Sequence, residues 1–547
     1  VPAQRAGEGA PDYPGCRWPA QRRFLPPLPG GNAAERLRAG HFVFLNREAS
    51  LGWPPRWSPE AVPPLWLYQL HYFEPLWLLD YPDGRTLVRD WIAAYGPARG
   101  RVGWDAYPMS LRLSNWCGFF FGRHRESVEG DPAFRDALWR SIHLQGEWLR
   151  RHPETHLLGN HLFENAAALA FCGSCFEGEA AQRWRRAGRE LLAVELPEQI
   201  LADGGHFERS PMYQARLASA LAALSDTGDA ELRELVEEPL RAVLRALAAL
   251  SHPDGEIALL NDSALDQQPP VEALLAHTSA ARGEPRSAAA PGPFALAETG
   301  YYGWRGRDGH YLVCDAAPIG PDYLPGHAHG DLLSFELSLG GRRVVVDAGV
   351  HGYDGDALRA YCRSTRAHNT LELEGADQCE FWGAFRVARR GRPRDVDWRP
   401  LAAGFRLSAW HDGYQRLAGR PRHRRVFAWH EDGVLMVRDQ VRASRAVAAR
   451  SRLHLHPDCA IVEREGNALR IEHPGGSFAI CFAGPGRLEV EESIYCPEFG
   501  RRVENRALVF SSHTAEVEMG FCLANGCRRL GYDLAGGAVA DGRRYAW

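Results

Sequence analysis

Apolar residues recur at helical spacing through the first half of the chain. Phe134, Leu138, Ile142, Gln145 and Leu149 share one stripe, as do Ala180, Trp184, Ala187, Leu191 and Val194. The pattern returns at Leu232, Val236, Leu240, Val243, Leu247 and Leu250 and closes at Ser251-His-Pro-Asp-Gly, which carries helix-stop chemistry. A helical domain is therefore predicted over residues 60–293, behind an extension with the first helices over residues 1–59. The stretch Ala280–Pro293 is rich in Ala, Pro and Gly without periodicity and predicts a linker.

After Phe294 the period becomes two. Leu333, Phe335, Leu337 and Leu339 alternate with Ser334, Glu336 and Ser338, and Gly340-Gly341 leads into Arg342 to Asp347 as a hairpin with a two-residue turn. Further alternation in FRLSAWHDG, RRVFAWHEDGVLMVRDQV, RSRLHLHP, RALVFSS and AEVEMGFCLA predicts a large antiparallel β domain over residues 294–547.

Composition narrows the functions available. The 547 residues are 45% hydrophobic and 24% charged with a net charge of -4, an ordinary globular balance that argues against disorder and against a nucleic-acid partner. The chain contains no lysine, so all 64 basic residues are arginine. Schiff-base chemistry and the standard P-loop are thereby excluded, since each requires an ammonium group. The apolar stretch Pro64–Leu79 is interrupted by Gln69, His71 and Glu74, and no other run approaches a membrane span, so no transmembrane segment is expected. The opening VPAQRAGEGAPDYPG lacks the apolar core of a signal peptide. A periplasmic or secreted location follows if a leader was removed, and a cytoplasmic one otherwise. The 12 cysteines are dispersed except Cys172 and Cys175, which without a second CxxC read as buried thiols rather than a zinc knuckle or redox pair.

Residues that perform chemistry gather in four places. In Gly159-Asn160-His161-Leu162-Phe163-Glu164-Asn165, His161 and Glu164 share a helix face and can hydrogen-bond one anionic group; the plainer reading has Asn160 capping the helix. Asp203 to Tyr213 sets Arg209 and a tyrosine at the next helix entrance, where a guanidinium can lower the phenol pKa; the plainer reading of Tyr213 is a core aromatic with its hydroxyl satisfied. Gly326-His327-Ala328-His329-Gly330-Asp331 aims two imidazoles to one side, and His329, Asp347 and His368 make a two-imidazole, one-carboxylate zinc set; the alternative is a polar network among strands. The fourth place is the arginine-rich Arg363 to Asn369 loop with Trp382, for which a solvated turn is the alternative.

In this order, GNHLFEN, DGGHFERSPMYQ, DGEIALLNDS, GHAHGDLLSFELSLGGRRVVVDAGVHGY and RSTRAHNTLELEGADQ resemble the heparinase II/III-like polysaccharide lyases from about residue 60 to the end. The resemblance implies an incomplete (α/α) toroid followed by an antiparallel β-sandwich. It also implies β-elimination at the bond to O4 of a uronic acid in a glycosaminoglycan, alginate or bacterial polymer. That reaction needs a neutraliser for the uronate carboxylate, a base for the C5 proton and an acid for the leaving oxygen. By position, Asn160, His161 and Glu164 match the neutraliser, and Tyr213 and His327 the acid and base. His329, Asp347 and His368 match ligands of a structural Zn2+, and Arg209, Arg363, Arg366 and Trp382 are expected to bind the acidic polysaccharide. A homodimer is compatible with this reading. Two other functions stay open: a non-catalytic or remodelling glycan-binding protein of a capsule or exopolysaccharide assembly pathway, and a metal-dependent glycoside hydrolase using the HxH and Asp331.

Overall fold

The structure, a computed structural model, describes residues 11–18, 24–28, 30–98, 100–282 and 290–547. The expected linker therefore lies partly outside the described residues, as do parts of the expected N-terminal extension. Two compact units form: Val1–Ile200 with Ala215–Leu244 and Asp266–Arg286, and Leu201–Gln214 with Arg245–Leu265 and Ser287–Trp547. The second unit thus takes two segments from the half read as helical.

In the first unit the stripe beginning at Phe134 lies in the helix Pro132–Arg151, and all five of its residues are buried. Asp131 starts this helix by accepting the Phe134 N–H, with Pro132 in the first turn. The next stripe needs correction. In the helix Gly178–Gln199 the buried face runs through Ala180, Ala181, Trp184, Gly188 and Leu192, whereas Val194 is 64% exposed. Small residues, not large apolar ones, set this seam. A Cβ on Gly188 would stand 2.4 Å from Ala170 N, and one on Gly173 would stand 2.3 Å from Arg185 N. The helix Gly159–Cys175 therefore lies against its successor backbone to backbone, which fixes the helix that carries Asn160 and Glu164. Among the described residues before 60 a two-stranded hairpin, His41–Phe44 with Arg47–Ser50, accompanies one short helix, Ala34–Arg38. No helix of the described residues is long and apolar enough to cross a membrane.

The second unit is built on a branched antiparallel sheet of 15 strands around one apolar core that includes Phe335, Leu337, Phe427, Trp429, Leu453 and Phe521. The Gly340-Gly341 turn forms as expected: Leu339 pairs with Arg342, and both glycines have positive φ, 55° and 79°. Two pairs of expected strands are instead single strands, Val434–Leu455 and Val503–Asn525. The connecting residues carry no Gly or Pro, and a register shift between Arg442 and Val447 absorbs the bend that a turn would otherwise make.

Candidate functional site

The helix Gly159–Cys175 begins after Leu158, whose φ of 60° turns the chain into it, and no side chain caps this end. Asn160 is buried in the first turn and does not act as the N-cap. His161 Nδ1 lies 3.3 Å from Glu154 Oε2, and its ring stands 4.6 Å from that of Tyr107. Glu164 is held by Arg216, whose Nε donates to Oε1 at 2.6 Å and whose Nη2 donates to Oε2 at 3.3 Å. That carboxylate is therefore committed to its contact with Arg216. Arg216 also reaches to 3.9 Å from Glu74, whose carboxyl burial pushes up to about 7 against the pull of the guanidinium.

The second unit holds a denser cluster. Tyr213 enters from the first turn of the helix Pro211–Ser225, its ring 4.3 Å from that of His327 and its hydroxyl 2.9 Å from the hydroxyl of Tyr353. Burial keeps Tyr353 a neutral phenol, with its pKa well above the usual value. His327 Nδ1 donates to Asp262 Oδ2 at 2.8 Å, and Nε2 lies 3.6 Å from Glu208 Oε2. Asp262 also accepts from His329 Nε2 at 2.8 Å and takes a two-point grip from Arg359, one contact being Nη2 to Oδ2 at 2.8 Å. Burial opposes its charge, yet Arg359 and the two imidazoles hold Asp262 well below the carboxylate range. One ionised carboxylate thus fixes both histidines of the HxH with the bonded nitrogens protonated.

His329, Asp347 and His368 are fully buried, and their ligand atoms lie within 4.8 Å of one another. His329 Nδ1 and His368 Nε2 have no hydrogen-bond partner among the described residues, while Asp262 and Asp347 take the other ring nitrogens. Burial lowers His329 to about 4, so it is a neutral imidazole near pH 7. Two buried imidazole nitrogens beside a carboxylate fit a cation, which at His368 would take the place of the proton that Asp347 favours. Glu336 places Asp347 by accepting its N–H at 2.9 Å, and Glu336 is itself bonded by Leu259 N and His252.

The arginine expectations change. Arg209, with φ of 58°, donates to the Thr299 and Phe207 carbonyls, and Arg363 is 1% exposed and donates to the carbonyls of Ala328, Gly383 and Ala384. Both brace backbone; Arg363 is buried and offers no face to a polysaccharide, whereas Arg209 is half-buried. The guanidinium of Arg209 also stands by carbonyls rather than activating a phenol. Arg366 is exposed, but it lines a separate cavity with Glu372, Arg450, Arg452 and Glu491 that shares no residue with the Tyr213 and His327 cluster. Trp382 is 57% exposed, as a substrate contact requires. Asp262 and Arg359 were not singled out from sequence. Asp262 does stand inside the DGEIALLNDS segment, but Arg359 has no local signal.

Comparison with known proteins bears on the family and the fold. Residues 86–281 match the family described as Heparinase II/III N-terminus, and residues 288–547 match Heparinase II/III-like, C-terminal. A heparin-sulfate lyase of Pedobacter heparinus is 32% identical over 272 residues, 44% of this chain and 40% of that protein, so the chain spans under half of that relative. FtsZ-localized protein C of Caulobacter vibrioides is 26% identical over 448 residues, 74% of this chain and 72% of that protein. Among solved structures, a heparan sulfate lyase HepC mutant from Pedobacter heparinus superposes with a TM-score of 0.67 at 21% identity, covering 94% of this chain and 88% of that one. A crystal structure of heparinase III gives 0.72 at 16% identity, covering 90% and 85%. The shared fold is an (α/α) toroid followed by an antiparallel β-sandwich, and the chain belongs to the heparinase II/III-like family.

Proposed function

We propose that this chain is a glycosaminoglycan lyase that breaks the glycosidic bond to O4 of a uronic acid by β-elimination. The supporting observation is the pairing of a phenol with a carboxylate-held imidazole: Tyr213 stands 4.3 Å from His327, which Asp262 orients. With Nδ1 donating to Asp262, His327 carries its basic lone pair on Nε2, the form that accepts a C5 proton. Tyr213 supplies the proton to the departing O4 oxygen, and the Tyr353 hydroxyl at 2.9 Å holds the phenol in place. Where the C5 hydrogen and leaving group share a face, Tyr213 takes both roles in turn. Within the first unit Arg216 occupies Glu164, so Glu164 is not counted among the groups that act on the uronate. His329, Asp347 and His368 would hold a Zn2+ ion, whose charge would brace the strands that carry them; elimination consumes no water, so no metal-bound nucleophile is needed.

The test is absorbance of the unsaturated product on a panel of heparan sulfate, hyaluronan and alginate, with heparan sulfate first because three relatives are named heparin-sulfate lyase. Tyr213→Phe should lower kcat by about 100-fold or more. Folded protein without unsaturated product on any of these polymers overturns the proposal. A second reading is glycan binding without turnover; the relative aligned over 74% of the chain, FtsZ-localized protein C, is named for a location and not for a reaction. On that reading Tyr213→Phe leaves polymer binding and function intact.

A further inference from the structure

Arg363, expected to touch substrate, instead joins Arg359 in holding a turn that does face solvent. Phe381–Trp382 pairs with Arg386–Val387, with Trp382 opposite Arg386 and Phe381 opposite Val387. Alternation then separates the faces. Phe381 and Val387 pack with Ile319, Ala328, Leu332 and Cys379, and the Arg363 guanidinium lies 4.6 Å from the Phe381 ring. On the outer face Trp382 is 57% exposed, with the Arg386 guanidinium 5.0 Å from its ring. Among the described residues Arg386 has no carboxylate partner.

The tip of the turn is fixed from below. Arg359 Nε and Arg363 Nη1 both donate to the Ala384 carbonyl at 3.0 Å, and Arg363 adds Gly383 at 3.2 Å. These guanidiniums are 2% and 1% exposed. A turn tied by two buried cations cannot retreat into the core, yet it holds Phe385 at 44% exposure. The Phe385 ring meets Tyr353 edge-on at 5.2 Å and His327 at 6.2 Å. Arg359 joins the two features, since it also grips Asp262 beneath His327. The aromatic surface is thus built in register with the candidate base.

We propose that the 381–387 turn is a glycan subsite, with Phe385 packing against the sugar next to the reacting uronate and Trp382 with Arg386 taking the one beyond. The proposal rests on the lyase reading for what reacts at His327, but binding tests it independently. An aromatic face suits the C–H face of a pyranose, and a guanidinium suits its carboxylate or sulfate. This ligand class matches a mixed surface of two exposed rings and a guanidinium that has no carboxylate partner among the described residues. Arg363 is then a positioning residue, acting on the glycan only through the turn it supports.

The experiment compares Trp382→Ala and Phe385→Ala, with the exposed Leu401→Ala as a control. KM and kcat are measured on heparan sulfate polymer and on its shortest cleaved oligosaccharide, and retardation is measured in gels containing the polymer. Each turn variant should raise the polymer KM about tenfold with a smaller fall in kcat, and each should lose retardation. For Trp382→Ala the penalty should shrink to about twofold or less on the short substrate, a length dependence that a merely structural role does not produce. Thermal midpoints should match wild type. Unchanged KM and unchanged retardation in both variants overturn the subsite, as does an equal penalty at both substrate lengths. If wild-type protein is retarded without forming unsaturated product and the variants are not, the subsite stands and the lyase reading falls. If wild-type protein is neither retarded nor active on heparan sulfate or hyaluronan, both fall.

Discussion

Arg359→Met separates the electrostatic role of Arg359 from its bulk. The guanidinium makes two charged hydrogen bonds to Asp262 and a third to the Ala384 carbonyl, and Arg359 and Asp262 are 2% and 0% exposed. Methionine keeps most of the stem volume and removes the charge, so the packing loss is small and the main cost is a buried carboxylate without its counter-ion. Breaking such a pair from one side costs about 3–5 kcal/mol. At roughly 2 °C per kcal/mol for a large domain, the thermal midpoint should fall by about 6 °C or more. Asp262 then gains a proton, or its carboxylate turns away. Either change releases His327 Nδ1 and lowers kcat more than it raises KM. Arg359→Met is measured by denaturant unfolding beside Asp262→Asn and the double variant. The double variant should be more stable than the sum of the singles by about 2 kcal/mol, because a neutral amide needs no guanidinium. A loss under about 1 kcal/mol in Arg359→Met, or strict additivity in the cycle, would refute the argument that this pair is a buried, coupled support for His327.

Three further outcomes follow from other parts of the molecule. Glu74, pushed up to about 7 by burial, keeps a proton in the folded chain that the unfolded chain releases near 4.5, so its contribution makes stability fall as pH rises between these values. Glu74→Gln should remove a slope of up to about 1.4 kcal/mol per pH unit in that window, as read by urea unfolding at pH 5, 6 and 7; an unchanged slope rejects the assignment. Gly188→Ala places a methyl 2.4 Å from Ala170 N and should cost about 1–3 kcal/mol, whereas Ala187→Gly on the same helix should cost about 1 kcal/mol or less. His368→Ala should abolish zinc retained after dialysis, as measured by elemental analysis, and full retention removes His368 from the ligand set.

The sequence alone determined the change from period 3.6 to period two, the Gly340-Gly341 hairpin, and the residue types at Tyr213, His327, His329, Asp347 and His368. These are local properties: a stripe, a turn and a histidine pair are each written within a few consecutive residues. Tertiary structure decided what each charge does. Arg209 and Arg363 look like anion binders in sequence, but the fold sets backbone carbonyls against both, while Arg359, which has no motif of its own, holds the Asp262 carboxylate. Glu164 likewise has a helical partner in view at His161 but pairs with Arg216, fifty-odd positions away. The seam at Gly173 and Gly188 escaped the stripe reading because hydrophobic spacing registers side chains that are present, and close backbone packing depends on side chains that are absent. A polar residue's partner is chosen by which chain segment is folded against it, and that information is not contained in its neighbours along the chain.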